Sequence, residues 1–165
     1  MTATPPTSAA VTVRPAELAD LPRLAGLFDA YRQFYGQPSR LQRAEAFLRE
    51  RLEKGDARIF IAEHEGRIEG FTQLYPSFSS LSMGPIWVFN DIYVDPEARN
   101  AGIGSALLER AHRLAEETGA AHMTLATARD NRSAIELYGK MGWQPDDAFL
   151  HMYLPVRDRA DRSDE

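Results

Sequence analysis

Asn90-Asp-Ile-Tyr-Val-Asp-Pro-Glu-Ala-Arg-Asn-Ala-Gly-Ile-Gly-Ser-Ala-Leu-Leu108 passes from a β-rich run through a glycine-bearing turn directly into a helix start. A helix that begins this way exposes backbone N–H groups with no partner inside the helix. With the helix dipole behind them they suit a phosphate, and Gly102 and Gly104 are read as letting its oxygens approach without a Cβ in the way. Two nucleotide motifs fail against the stretch. The dinucleotide fingerprint needs a third glycine where Leu107 stands, and the P-loop needs Gly-Lys-Ser or Gly-Lys-Thr, which the chain lacks.

Upstream, Val11 to Arg14 reads as a short strand ended by Pro15. Asp20 is placed to cap a helix with apolar positions Leu21, Leu24, Ala25, Phe28 and Tyr31, stopped by Gly36 and Pro38. Ser39 and Gln42 have capping-box spacing before a second helix with a Leu41, Ala44, Leu48, Leu52 stripe and a stop at Gly55. The period then changes. Arg58 to Glu63 and Ile68 to Tyr75 read as a hairpin turning at Glu65-Gly66, and Ile86 to Val94 as the next strand. The serines at 77, 79, 80 and 82 read as a loop that could cover an acceptor site.

Downstream, Ile103 to Thr118 has one apolar face and ends at Gly119, and His122 to Ala126 is a strand. Ser133 and Glu136 repeat the capping-box spacing before a short helix closed by Gly142, and Phe149 to Leu154 reads as a final strand. The sum is βααββ followed by βαβαβ. This is an α/β (α+β) domain whose mixed central sheet of six to seven strands is flanked by about four helices.

The 165 residues suit one domain, assigned to 11–155, with a loose N-terminal tail at 1–10 and a charged tail at 156–165. Cysteine is absent, which excludes disulfides, thiolate metal sites and a cysteine nucleophile and fits a reducing, cytoplasmic compartment. Nineteen Lys and Arg face 24 Asp and Glu, a net charge of -5 that disfavours nucleic acid and anionic membrane and favours cationic ligands. The four histidines share no metal-ligand spacing, so no metal is assigned.

Arg99-x-x-Gly102-x-Gly104, together with Asn131-Arg-Ser-Ala-Ile-Glu-Leu-Tyr-Gly-Lys-Met-Gly-Trp143, resembles the two signature blocks of the GNAT acetyltransferase superfamily. The resemblance extends to the element order and covers most of the chain. It implies acetyl-coenzyme A as cosubstrate, with the pyrophosphate on the turn made by Arg99, Asn100, Ala101, Gly102, Ile103, Gly104 and Ser105. It places the pantetheine arm along Ile92, Tyr93 and Val94, where the fourth and fifth strands splay, and brings Asn131 to the cofactor arm. In this superfamily a bulge in the fourth strand turns an N–H toward the thioester carbonyl.

The same resemblance points the Tyr138 phenol at the departing sulfur as a general acid. A proton must also leave the amine before it attacks, since a lysine-like group has a pKa of about 10.4; Asp91, or a water held by Asn90, is the candidate acceptor. A narrower likeness, at Tyr31 to Gln37, Gly70 to Tyr75 and Phe89 to Val94, is to the small-amine branch that includes spermidine/spermine and HPA-type acetyltransferases. This chain has Asn90-Asp91 where the polyamine enzymes have Glu-Asp. Asn90 and Trp87 are the candidate acceptor-side residues. The implied reaction is direct acetyl transfer in a ternary complex to a primary amine of a small molecule, polyamine-like or amino acid, with a homodimer as the family-level expectation. A protein or peptide N-acetyltransferase and a non-catalytic acyl-coenzyme A sensor are the alternatives.

Overall fold

The computed structural model describes residues 10–156. The expected tails therefore lie, apart from Ala10 and Val156, outside the described residues. Strand β1 (Thr12–Pro15) leads through one 3₁₀ turn into helix α1 (Leu21–Phe34) and then α2 (Leu41–Lys54). Strands β2 (Arg58–His64), β3 (Arg67–Ser79) and β4 (Gly84–Val94) form a meander; α3 (Ile103–Glu117), β5 (Met123–Leu125) and α4 (Arg132–Lys140) complete it. The sheet order is β1-β2-β3-β4-β5, antiparallel except for the parallel β4–β5 pair. Among the described residues no helix is long and apolar enough to cross a membrane.

Strand alternation divides the core into two layers. Ile59, Ile61 and Phe71 face α1 and α2, where Leu21, Leu24, Phe28 and Leu48 meet them. Phe60, Ala62, Leu74 and Phe89 face α3, against Ile103, Leu107, Leu108 and Ala111. Because β2 is covered on both faces, Ile59 to Ala62 is a continuous apolar run rather than an alternating one. A Cβ on Gly70 would lie 2.9 Å from Ile103 Cγ2 and 3.0 Å from the Tyr93 carbonyl oxygen, so this glycine sets how closely α3 approaches the sheet. Gly70→Ala is expected to lower stability by about 1–3 kcal/mol through overpacking. A fall in the urea midpoint checks this, and an unchanged midpoint contradicts it.

Several expectations are corrected. The sheet has five strands, not six to seven, because Phe149 to Leu154 joins no ladder. Its residues have strand propensity, but propensity alone does not hold a strand without a neighbour to complete its hydrogen bonds. The serine-rich loop is mostly hairpin: β3 runs to Ser79 and β4 starts at Gly84, leaving only a short turn around Ser80 to Met83. The capping residues also differ. Asp20 is the residue before α1 but forms no side-chain cap; it takes a bidentate hydrogen bond from Arg14 at 2.8 and 2.9 Å. Ser39 donates to Asp29 at 2.6 Å, with Arg40 preceding α2, and Asn131 rather than Ser133 precedes α4. At Asp20 and Ser39 a partner elsewhere in the chain takes the side chain, whereas at α4 the helix starts ahead of Ser133.

Candidate functional site

Three features of the backbone shape the site before any side chain does. First, Gln73 pairs with Asp91 and Leu74 with Phe89, so Asn90 is an extra residue in β4: a bulge. Second, β4 and β5 pair only at Trp87–Met123, Val88–Thr124 and Phe89–Leu125. Beyond Phe89 the strands part, and β4 continues to Val94 with no neighbour on that side among the described residues. Third, Asn100 (φ 68°) and Gly102 (φ 79°) are both left-handed, which folds the turn before α3 into a concave run of amides.

The first intrahelical bond of α3 is from the Ala106 amide to the Gly102 carbonyl, 3.0 Å, so the amides of Ile103, Gly104 and Ser105 have no helix carbonyl to donate to. No side chain caps them. Gly102 is open on the Cβ side, whereas a Cβ on Gly104 would sit 3.1 Å from Leu137 Cδ2. Gly104 is thus also tight against α4, while Gly102 is glycine for its conformation. The turn is anchored from below. Arg23 binds Asp95 at 2.8 Å, Glu69 at 3.1 Å and the Ile68 carbonyl at 2.9 Å, and Asp95 in turn accepts from the Glu97 amide at 3.0 Å. These bonds hold the Asp95 carboxyl below its usual range, with the Arg23 contribution the largest.

These elements enclose a cleft of about 420 Å³. Along β4 it is lined by Ile92, Tyr93 and Val94, and around the turn by Arg99, Asn100, Gly102, Ile103, Gly104 and Ser105. Asn131 and Tyr138 close it from α4. Ala101 lies in the same turn but packs on the apolar core. Tyr138 is buried, its ring edge-on to Phe89 at 6.4 Å and tilted against Trp143 at 6.3 Å. Burial pushes its phenol up to about 12, so it stays protonated throughout the neutral range.

The acceptor-side residues are arranged differently from expectation. Asp91 is buried and does not line the cleft. Its carboxylate accepts from Gln73 Nε2 at 2.7 Å and from Asn90 Nδ2 at 3.1 Å, and burial nevertheless raises its pKa. Tyr31 lines the cleft, and its hydroxyl lies 3.5 Å from the carbonyl oxygen of Asn90, the neighbour of Asp91. Trp87 is removed from the cleft altogether, since its indole N–H donates to Thr118 Oγ1 at 2.9 Å inside the core. The sequence reading missed Tyr31, Phe34 and Tyr35 as a cleft wall. Tyr31 falls in the apolar stripe of α1; the overlooked signal is Phe34 and Tyr35 beside it, aromatic and exposed at the end of the helix.

A strand that bulges, splays from its parallel neighbour and feeds a free helix N-terminus matches the arrangement that the two sequence blocks imply. Residues 24–143 match the family described as "Acetyltransferase (GNAT) family". The chain is 47% identical over 146 residues to an uncharacterized N-acetyltransferase, YhfO, of Bacillus subtilis (strain 168), covering 88% of this chain and 98% of that protein. The crystal structure of a probable acetyltransferase superposes with a TM-score of 0.83 at 41% identity, over 89% of this chain and 99% of the other. At 19% identity, a predicted acetyltransferase with acetyl-CoA from Clostridium acetobutylicum shares the fold, with a TM-score of 0.69 over 87% of this chain and 96% of that one. This chain belongs to the GNAT family and is an N-acetyltransferase. Enzymes of the family in general use acetyl-CoA.

Proposed function

We propose that this enzyme takes its acetyl group from acetyl-coenzyme A and delivers it to a primary amine of a small cationic molecule. What supports the reading is a single continuous cleft that has free amides at one end, an exposed strand edge in the middle and an aromatic wall facing Tyr138 at the other. The amides of Ile103, Gly104 and Ser105 suit a diphosphate, and the unpaired side of β4 from Ile92 to Val94 suits an amide-bearing arm. Acetyl-coenzyme A supplies an activated thioester. Asn131 and Arg99 border the same channel, Arg99 as an exposed cation beside a phosphate position.

The residues of the chain account for the proton traffic. Tyr138 keeps its proton at neutral pH and can give it to a departing thiolate, whose conjugate acid has a pKa of about 8.5. Asp91, with its pKa raised by burial, is tuned to accept a proton from an ammonium group. Because Asp91 does not line the cleft, a relay must carry the proton to it, and the Tyr31 hydroxyl, in the cleft wall and 3.5 Å from the Asn90 carbonyl oxygen, is placed for that role. Tyr31, Phe34 and Tyr35 offer aromatic faces to a cation, and the net charge of -5 favours the same class.

Thiol release at fixed acetyl-coenzyme A, measured over polyamines, amino acids, aminoglycosides and peptides, tests the reading. Turnover with a small cationic amine is the expected result. Turnover with peptides alone would replace the substrate class, and coenzyme A binding without transfer to any amine would make the chain a sensor.

A further inference from the structure

Thr72 of β3 is 0% exposed, and it opposes Phe60 of β2 in the layer that packs against α3. Valine has nearly its shape and would fill that space with no polar atom, whereas a hydroxyl buried without a partner costs free energy. The hydroxyl must therefore be bonded. It donates to the Asp91 carbonyl oxygen of β4 at 2.8 Å. That bond falls where the ladder slips, one residue past the extra Asn90, and a bulge leaves the next peptide less firmly held than a regular ladder does.

The Asp91–Ile92 peptide is planar and trans, so its N–H points opposite to its C=O. With the carbonyl turned toward β3, the Ile92 N–H is turned away from it. The flanking residues agree: the Tyr93 carbonyl oxygen lies 3.0 Å from where a Cβ on Gly70 would sit, and the Asp95 amide donates to the Glu69 carbonyl at 2.8 Å. Asp91, Tyr93 and Asp95 thus face β3, and by strand alternation Ile92 and Val94 face the side that β5 leaves after Phe89. Ile92 lines the cleft there, together with Tyr138. We infer that Thr72 is a positioning residue: its hydroxyl holds the Asp91–Ile92 peptide so that the Ile92 amide meets the carbonyl oxygen of a bound acetyl thioester. The inference rests on the proposed use of acetyl-coenzyme A. As the amine nitrogen bonds to the carbonyl carbon, the C=O π pair moves onto oxygen, where a donor already fixed in place stabilises it. The pair returns as the C–S bond breaks, the sulfur takes the Tyr138 proton, and the amine's surplus proton passes toward Asp91.

Thiol release and amide NMR on the full chain test this together. Thr72→Val is expected to lower kcat about 10–100-fold, a misaimed donor costing less than a missing one, with the KM for acetyl-coenzyme A and the affinity for coenzyme A unchanged. Thr72→Ser keeps the hydroxyl and drops the methyl, and should restore most of the rate. In the unaltered protein the Ile92 amide proton should move downfield when acetyl-coenzyme A replaces coenzyme A, a shift that the valine variant loses and the serine variant keeps. A role in packing alone would instead make serine the worse variant, since the lost methyl leaves a void. Parent turnover in Thr72→Val, a serine variant as slow as the valine one, or an Ile92 amide that does not move would each overturn the inference. The last of these is read on the unaltered protein, so it decides the matter even where the variants fail to fold. A parent that takes up no acetyl-coenzyme A would overturn the proposed function and this inference with it; the three outcomes above, in a parent that binds and transfers, overturn this inference alone.

Discussion

Tyr138→Phe is expected to lower turnover by about 10²–10⁴-fold while leaving coenzyme A affinity unchanged. The ring is retained, so its edge-on packing against Phe89 and its contact with Trp143 survive, and so does the wall of the cleft. Only the proton donor is removed. Transfer then expels the sulfur as a bare thiolate, and the loss should be in kcat rather than in KM for the thioester. Steady-state thiol release and a binding isotherm on the same sample separate the two. Equal rates for variant and parent would remove Tyr138 from the mechanism.

Asp91→Asn should have opposite effects on activity and on stability. The carboxylate must be ionised to take a proton, so turnover of the parent rises as pH passes upward through the raised Asp91 pKa, and the variant loses that acid limb along with at least tenfold in rate at neutral pH. The stability effect follows from linkage. Asp91 has a folded-state pKa above its unfolded value, so its contribution is full at pH below the unfolded value and is lost as pH rises through the folded one. At neutral pH the ionised group therefore burdens the folded state. Asparagine keeps an acceptor for Gln73 Nε2, gives up only the bond from the exposed Asn90 side chain, which can turn to water, and carries no charge, so the variant should melt higher than the parent at pH 8. A lower melting temperature together with unchanged turnover would show a merely structural carboxylate.

The order of elements was readable in the sequence because each leaves a period or a stop. Ile103 to Glu117 carries a helical stripe, Gly55 and Gly119 end helices with positive φ, and the Glu65-Gly66 turn gives up its hairpin. The turn of the cleft was equally legible, since Gly102 marks a left-handed conformation that glycine adopts at no steric cost. What could not be read was tertiary. The bulge at Asn90 exists only as a mismatch of register between β3 and β4, and no one-dimensional pattern records register. The burial of Asp91 depends on how the helices cover the sheet, and the departure of Trp87 depends on Thr118, 31 residues away. The close approach of Leu137 to Gly104 was likewise unreadable, because α4 is distant in sequence. The missing sixth strand has the same origin: Phe149 to Leu154 has the composition of a strand, and a ladder partner is a property of the fold.

A diphosphate held by the amides at the start of α3 is the premise of the proposed function. Isothermal titration of the folded enzyme with coenzyme A, in low salt, tests it most directly. One saturable site per chain is the predicted result, with affinity sharply reduced in Gly102→Val, whose branched side chain disfavours the left-handed turn. Absence of binding to protein with an intact thermal transition, or full affinity in the Gly102 variant, would contradict it.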